Sequence, residues 1–164
     1  MNDAETQAVL GRLTYGLYAL TVKHEGDEHG ITANWVTQAS FDPPMVAVAV
    51  GSTSKTIELL RDAHHFAINV LHEGQRDLAA KLGRASGGGG GGTSQKLKGI
   101  KTKPAPVSGA PVLTEALGWV ECRVVATLPS GDHTLVLGEV VGAGVEHEGV
   151  KPLTLDATDL KYSR

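Results

Sequence analysis

Ile31-Thr32-Ala33-Asn34-Trp35-Val36-Thr37-Gln38-Ala39-Ser40 follows a polar turn, His24-Glu25-Gly26-Asp27-Glu28-His29-Gly30, and before that turn residues 15–23 are rich in Tyr, Leu, Thr and Val. Two β-prone arms about a polar, Gly-containing turn specify an antiparallel hairpin. The second arm mixes small residues, amides, hydroxyls and an indole, so its regularity is expected to fail partway. Asp42-Pro43-Pro44 ends it, because proline has no N–H to give to a ladder. Further on, Met45-Val46-Ala47-Val48-Ala49-Val50 alternates larger and smaller residues and reads as a buried strand. His65-Phe66-Ala67-Ile68-Asn69-Val70 sets Phe66, Ile68 and Val70 on one face and Asn69 on the other. Residues 119–128 and 133–141 flank the turn Pro129-Ser130-Gly131-Asp132, and residues 151–155 have the length of one more short strand. Short helices are expected over residues 4–13, 55–62 and 73–82, the last ended by Gly83. Six or seven strands, mostly joined by hairpins, with two or three helices give an all-β dominated fold: a small antiparallel barrel with α-helices packed outside it.

Composition narrows the function. The 164 residues, at 17.1 kDa, make one domain, taken here as residues 1–164. Hydrophobic residues are 41% and charged residues 20%, which suits a packed core and not a disordered chain. Fifteen Lys plus Arg against 18 Asp plus Glu leave a charge of −3, so no nucleic-acid partner is expected. The longest wholly apolar run, residues 45–50, falls far short of the roughly 20 residues that span a bilayer. Met1-Asn2-Asp3-Ala4-Glu5 has neither a basic nor an apolar leader region, so a cytoplasmic location without membrane contact is expected. One cysteine, Cys122, excludes an internal disulfide and reads as a small buried hydrophobe. The seven histidines show no zinc-ligand spacing, and no metal is expected. Of the 21 glycines, six form the run Gly87 to Gly92 in a Gly-, Ser-, Lys- and Pro-rich stretch over residues 84–109, with a flexible loop expected at about 84–98.

Chemistry concentrates in two segments. Gly51-Ser52-Thr53-Ser54-Lys55-Thr56 stands between a strand and a helix, where unpaired backbone amides and the helix dipole favour an anion. Four hydroxyls and an ammonium there suit a phosphate dianion, and they equally make an ordinary Ser/Thr helix cap. The second segment, residues 32–40, has small residues that let a flat ligand approach the backbone, while Trp35 covers a ring or fills a core boundary. His133 follows Asp132 at a hairpin tip, with Glu139 on the same strand face; it can move a proton, meet an anion, or be a plain turn residue. Neither a Walker loop nor a Gly-x-Ser-x-Gly elbow is present.

Tyr15-Gly16-Leu17-Tyr18, Gly30 to Pro44, Ser54-Lys55-Thr56, Phe66-Ala67-Ile68-Asn69-Val70-Leu71 and Gly138-Glu139-Val140 stand in the order and spacing of the flavin reductase-like family. Asp132-His133-Thr134-Leu135 also resembles that family's aspartate–histidine pair. The resemblance runs from about Ala8 to Pro152 and implies the FMN-binding split-barrel fold. It further implies a homodimer that binds FMN, or FAD, near its interface and uses NADH or NADPH. Carried onto this chain, the flavin-ring segment is Ala33, Asn34, Trp35, Val36, Thr37 and Gln38, with Ser40 close by. The phosphate segment is Ser52, Thr53, Ser54, Lys55 and Thr56; Asn69 falls near the flavin, and His133 on the nicotinamide side is the catalytic candidate. The implied activity is hydride transfer from NAD(P)H to flavin, with reduced flavin or electrons passed to an acceptor. The alternative is a flavoredoxin-like FMN electron carrier reduced by a redox partner protein. The Gly87 to Gly92 run departs from the family pattern, and no Rossmann fingerprint is present.

Overall fold

The computed structural model describes residues 3–84 and 95–161. Its strands are β1 (Tyr18–His24), β2 (Asp27–Ala33), β3 (Val36–Phe41), β4 (Pro44–Gly51), β5 (His65–Val70), β6 (Thr102–Pro104), β7 (Pro111–Leu113), β8 (Gly118–Ser130) and β9 (His133–Val145). The helices are α1 (Asp3–Leu10), α2 (Lys55–Ala63) and α3 (Arg76–Leu82). Seven strands make one antiparallel sheet in the order β2-β1-β5-β8-β9-β4-β3.

That order closes the sheet by arithmetic. β2 and β3 are its opposite edges, yet only Asn34 and Trp35 lie between them in the chain. Three peptide units span at most about 11 Å. Seven flat strands at normal spacing would hold the two edges roughly 28 Å apart. The sheet therefore curls on itself with a seam at Asn34 and Trp35, and with its flanking helices it is the expected antiparallel, all-β dominated class.

The interior is lined by Leu20, Val22, Val48, Phe66, Ile68 and Val136, and α2 covers it with Ile57, Leu59 and Leu60. Ser54 caps α2: its Oγ accepts from Ile57 N at 3.2 Å while its backbone stays extended. At the other end His64 takes the left-handed conformation at φ 58° and donates its N–H to Leu60 O. On the barrel's outer side Leu17, Leu71, Leu82, Leu97, Leu113 and Leu153 form a second core beneath α3. Cys122 is fully buried in the inner core, and its thiol is pushed up to about 12 by burial first and by neighbouring Glu121 second. It is packing, not a nucleophile.

Three expectations are corrected. The stretch over residues 84–109 is not one loop: Gln95–Leu97 make a 3₁₀ turn with Leu97 buried, and β6 pairs with β7. Glu121, with no exposed surface, accepts from Val107 N and from Ser108 N and Oγ, which pins the β6–β7 connection. A carboxylate acting across that sequence distance leaves no local periodicity to read. The run Gly87 to Gly92 lies outside the described residues. The first helix ends at Leu10 with no residue buried, and residues 151–155 make isolated bridges to Gly16 and His72 instead of a strand.

Candidate functional site

Three chain segments meet at one end of the β4–β9 pair. Gly51 stands opposite His133, and Val50 opposite Thr134. Beyond the ladder, Ser52 N donates to Asp132 O at 3.0 Å, and the Ser52 and Thr134 hydroxyls lie 2.9 Å apart. The β8–β9 turn can come so close because Gly131, at φ 69°, supplies the left-handed position of a two-residue hairpin loop. From the seam, the Trp35 ring lies over His133 with centroids 4.6 Å apart, and Tyr15 flanks Trp35 at 6.5 Å. Asp132 Oδ1 holds His133 Nδ1 at 2.7 Å. The two segments picked out in the sequence and the aspartate–histidine pair thus form one surface.

The hydroxyls divide into two groups. Ser52 is tied to Thr134, and Ser54 donates to Gly51 O at 2.7 Å while capping α2, so both serve the fold. Thr56 Oγ1, in a residue 1% exposed, has no hydrogen-bond partner. Lys55 is exposed, its ammonium only 3.8 Å from Glu58, a surface pair worth under about 1 kcal/mol. Ile57 N is taken by the Ser54 cap, which leaves the Lys55 and Thr56 amides of α2 without an intrahelical acceptor. A phosphate there would meet those amides, Lys55 and Thr56, with Thr53 exposed beside them.

On the seam, Asn34 Nδ2 is also buried without a partner. Among the described residues β3 pairs only with β4, so the backbone of Val36, Thr37 and Gln38 presents an open edge to whatever lies beside it. Ser40 accepts from Gln38 Nε2 at 3.2 Å through its carbonyl. A buried unpaired donor costs about 1–3 kcal/mol unless water or a ligand fills it. One such donor on the ring segment and one on the phosphate segment fit a ligand with acceptors at both ends, as a phosphorylated flavin has.

Asn69 is not brought to this surface. It has no exposed area; its Oδ1 accepts from Leu113 N at 2.8 Å and its Nδ2 donates to Ala19 O at 3.0 Å. The alternation that sets it opposite Phe66 and Ile68 directs it to the barrel's outside, where β7 covers it. Asn69→Ala should therefore lower stability by about 2–4 kcal/mol in urea denaturation and leave flavin affinity unchanged. A selective loss of affinity with stability intact would restore it to the site.

Two residues passed over in the sequence matter here: Tyr15 and His29. His29 is 6% exposed, and its side chain is pushed down to about 4 by burial first, then by Lys96 and Lys55. Lys96 is itself lowered by burial; its Nζ donates to Leu82 O at 3.1 Å and Arg84 O at 3.2 Å. Between pH 6.5 and about 4 the unfolded chain takes a proton at His29 that the fold refuses. Stability is then full above 6.5, falls by about 3 kcal/mol as pH drops to 4, and levels off below. Denaturation midpoints across that range should slope less in His29→Gln; equal slopes would contradict the assignment.

No group of three or more His, Cys, Asp or Glu able to hold a metal occurs among the described residues, and no described helix is long and apolar enough to cross a membrane. Residues 10–162 match the family model of the flavin reductase like domain, and the chain belongs to the flavin reductase-like family. It is 32% identical over 145 residues to diflavin flavoprotein A 1 of Synechocystis sp., covering 87% of this chain and 24% of that protein. It is 28% identical over 148 residues to the flavin reductase (NADH) of Kitasatospora aureofaciens, covering 89% and 74%. The structure of the NADH:FAD oxidoreductase of Streptomyces globisporus, in complex with NAD and FAD fragments, matches at TM-score 0.84 and 25% identity, covering 99% of this chain and 93% of that one. The chain spans only about a quarter of the length of the diflavin relative.

Proposed function

We propose that this chain, taken as one domain, is an NAD(P)H-dependent flavin reductase that holds FMN, with FAD as the alternative, across the β2–β3 seam. The observation that carries the reading is the pair of unpaired buried donors, Asn34 Nδ2 and Thr56 Oγ1, on two segments that the Ser52–Thr134 and Trp35–His133 contacts bring together. The named activities of the Kitasatospora and Streptomyces relatives support it. When bound, the flavin supplies the hydride-accepting chemistry, so no protein side chain has to form or break a bond in the redox step. The residues of this chain position and shield. The β3 edge and Asn34 donate to the ring's polar rim, while the α2 amides, Lys55 and Thr56 hold the phosphate. Trp35 and His133 wall the ring's surroundings and exclude water, and Asp132 fixes the imidazole by its Nδ1.

The reading includes a homodimer. Ala47 and Ala49 on β4 stand in register with Leu137 and Leu135 on β9, which face Ala126 and Leu128 on β8. Their alternates Val48 and Val136 point into the core, so these six form an apolar outer face, with Leu128 61% exposed. A second copy fits that face and would border the flavin site. The runner-up, an FMN electron carrier served by a partner protein, draws support from the diflavin relative, of whose length this chain matches 24%. NADH and NADPH oxidation by the purified chain, with added FMN and with FAD, separates the two. Turnover well above the flavin-only control is expected. Tight FMN without turnover would favour the carrier, and no flavin binding at all would end both readings.

A further inference from the structure

We propose that His29 is a further ligand of the flavin's phosphate, closing the α2 N-terminal site from inside the barrel; this rests on the flavin reading above. His29 stands opposite Val22 in the β1–β2 ladder, two residues from Ile31, which stands opposite Leu20. Cross-strand partners share a face, and Val22 and Leu20 lie in the core that α2 covers. The imidazole is therefore turned toward the interior beneath α2, not toward solvent. Its Nε2 is buried and has no hydrogen-bond partner, and it feels the charges of Lys55, which opens α2, and of Lys96.

Those facts select a ligand class. A buried ring nitrogen near two cations resists becoming a third cation, so it stays a neutral imidazole able to donate one Nε2–H. The other orphan on this side, Thr56 Oγ1, belongs to the residue after Lys55. Lys96 keeps its charge in place through the Leu82 and Arg84 carbonyls. Two unpaired buried groups, an exposed ammonium and the Lys55 and Thr56 amides that open a nine-residue helix call for a compact group with several acceptor oxygens and concentrated negative charge. A phosphate monoester meets that requirement; the uncharged ribityl hydroxyl of riboflavin does not.

The test compares FMN with riboflavin by fluorescence titration of the full chain, in wild type, in His29→Gln and in Lys55→Ala/Thr56→Val. FMN should bind His29→Gln about ten-fold more weakly, with riboflavin changed less than about two-fold. Equal losses for both ligands, or no loss for FMN, would overturn the assignment of His29. If wild type itself fails to prefer FMN over riboflavin, the phosphate site fails with it, and that arm keeps the two failures apart. Should His29→Gln not fold, ¹⁵N-imidazole NMR of the wild type decides. The histidine that stays neutral down to about pH 4 should shift its Nε2 resonance on adding FMN and not riboflavin. An unmoved resonance would overturn the proposal.

Discussion

Lys55→Ala combined with Thr56→Val is expected to weaken FMN binding about a hundred- to ten-thousand-fold while leaving riboflavin within about two-fold. Charge-assisted contacts to phosphate are worth roughly 1.5–3 kcal/mol each, and both side chains would lose theirs. The free protein should hardly notice. Thr56 Oγ1 has no partner to lose, valine keeps the side chain's shape, and the Lys55–Glu58 pair is exposed. Ser54, which caps the helix, is untouched. Isothermal titration with the two flavins and a thermal melt of the free protein read all three quantities. Equal losses for both flavins would place the phosphate elsewhere and leave the Ser54 motif as a helix cap only.

Phe66→Ala should cost about 3–5 kcal/mol of folding stability. Phe66 has no exposed surface, stands opposite Cys122 in the β5–β8 ladder and fills the barrel between Ile68 and α2. Two strands along the sheet, on β9, the chain has made room for it. A Cβ placed on Gly138 would lie 2.7 Å from the Phe66 ring and 2.7 Å from Cys122 Cβ, so any larger residue there must displace the ring. With the ring removed, the rigid ladders on both sides cannot collapse into the space. A melting temperature lower by roughly 10 °C follows for a chain of this size. Guanidinium denaturation measures the loss directly; less than about 1.5 kcal/mol would mean that the barrel relaxes to fill the void.

The helix cap and the end of the second hairpin arm were legible because each is local. Ser54 accepts from a donor three residues on, and the Asp42-Pro43-Pro44 stop acts on its own ladder. The alternation of Phe66, Ile68 and Asn69 was legible as well, but not its consequence. Period two says that Asn69 faces away from the inner core; it does not say that β7 seals that side and takes up the amide. For that reason Asn69, expected beside the flavin, stands apart from the surface that Trp35 and His133 form. His29 was hidden in the same way: in sequence it belongs to a polar turn, and only pairing with Val22 turns it inward.

From the amino-acid order alone came the strand-rich class, the capped entry to α2, the turn glycine at the hairpin tip and the kinship with flavin reductase-like domains, since propensity, capping and turn chemistry act within a few residues. Only the folded barrel decided which hydroxyls are already committed, which buried donors lack a partner, and that Trp35 and His133 come together beside the Ser52 and Thr134 hydroxyls. Hydrogen-bond satisfaction and burial depend on neighbours many residues away, brought close by the closing of one sheet on itself.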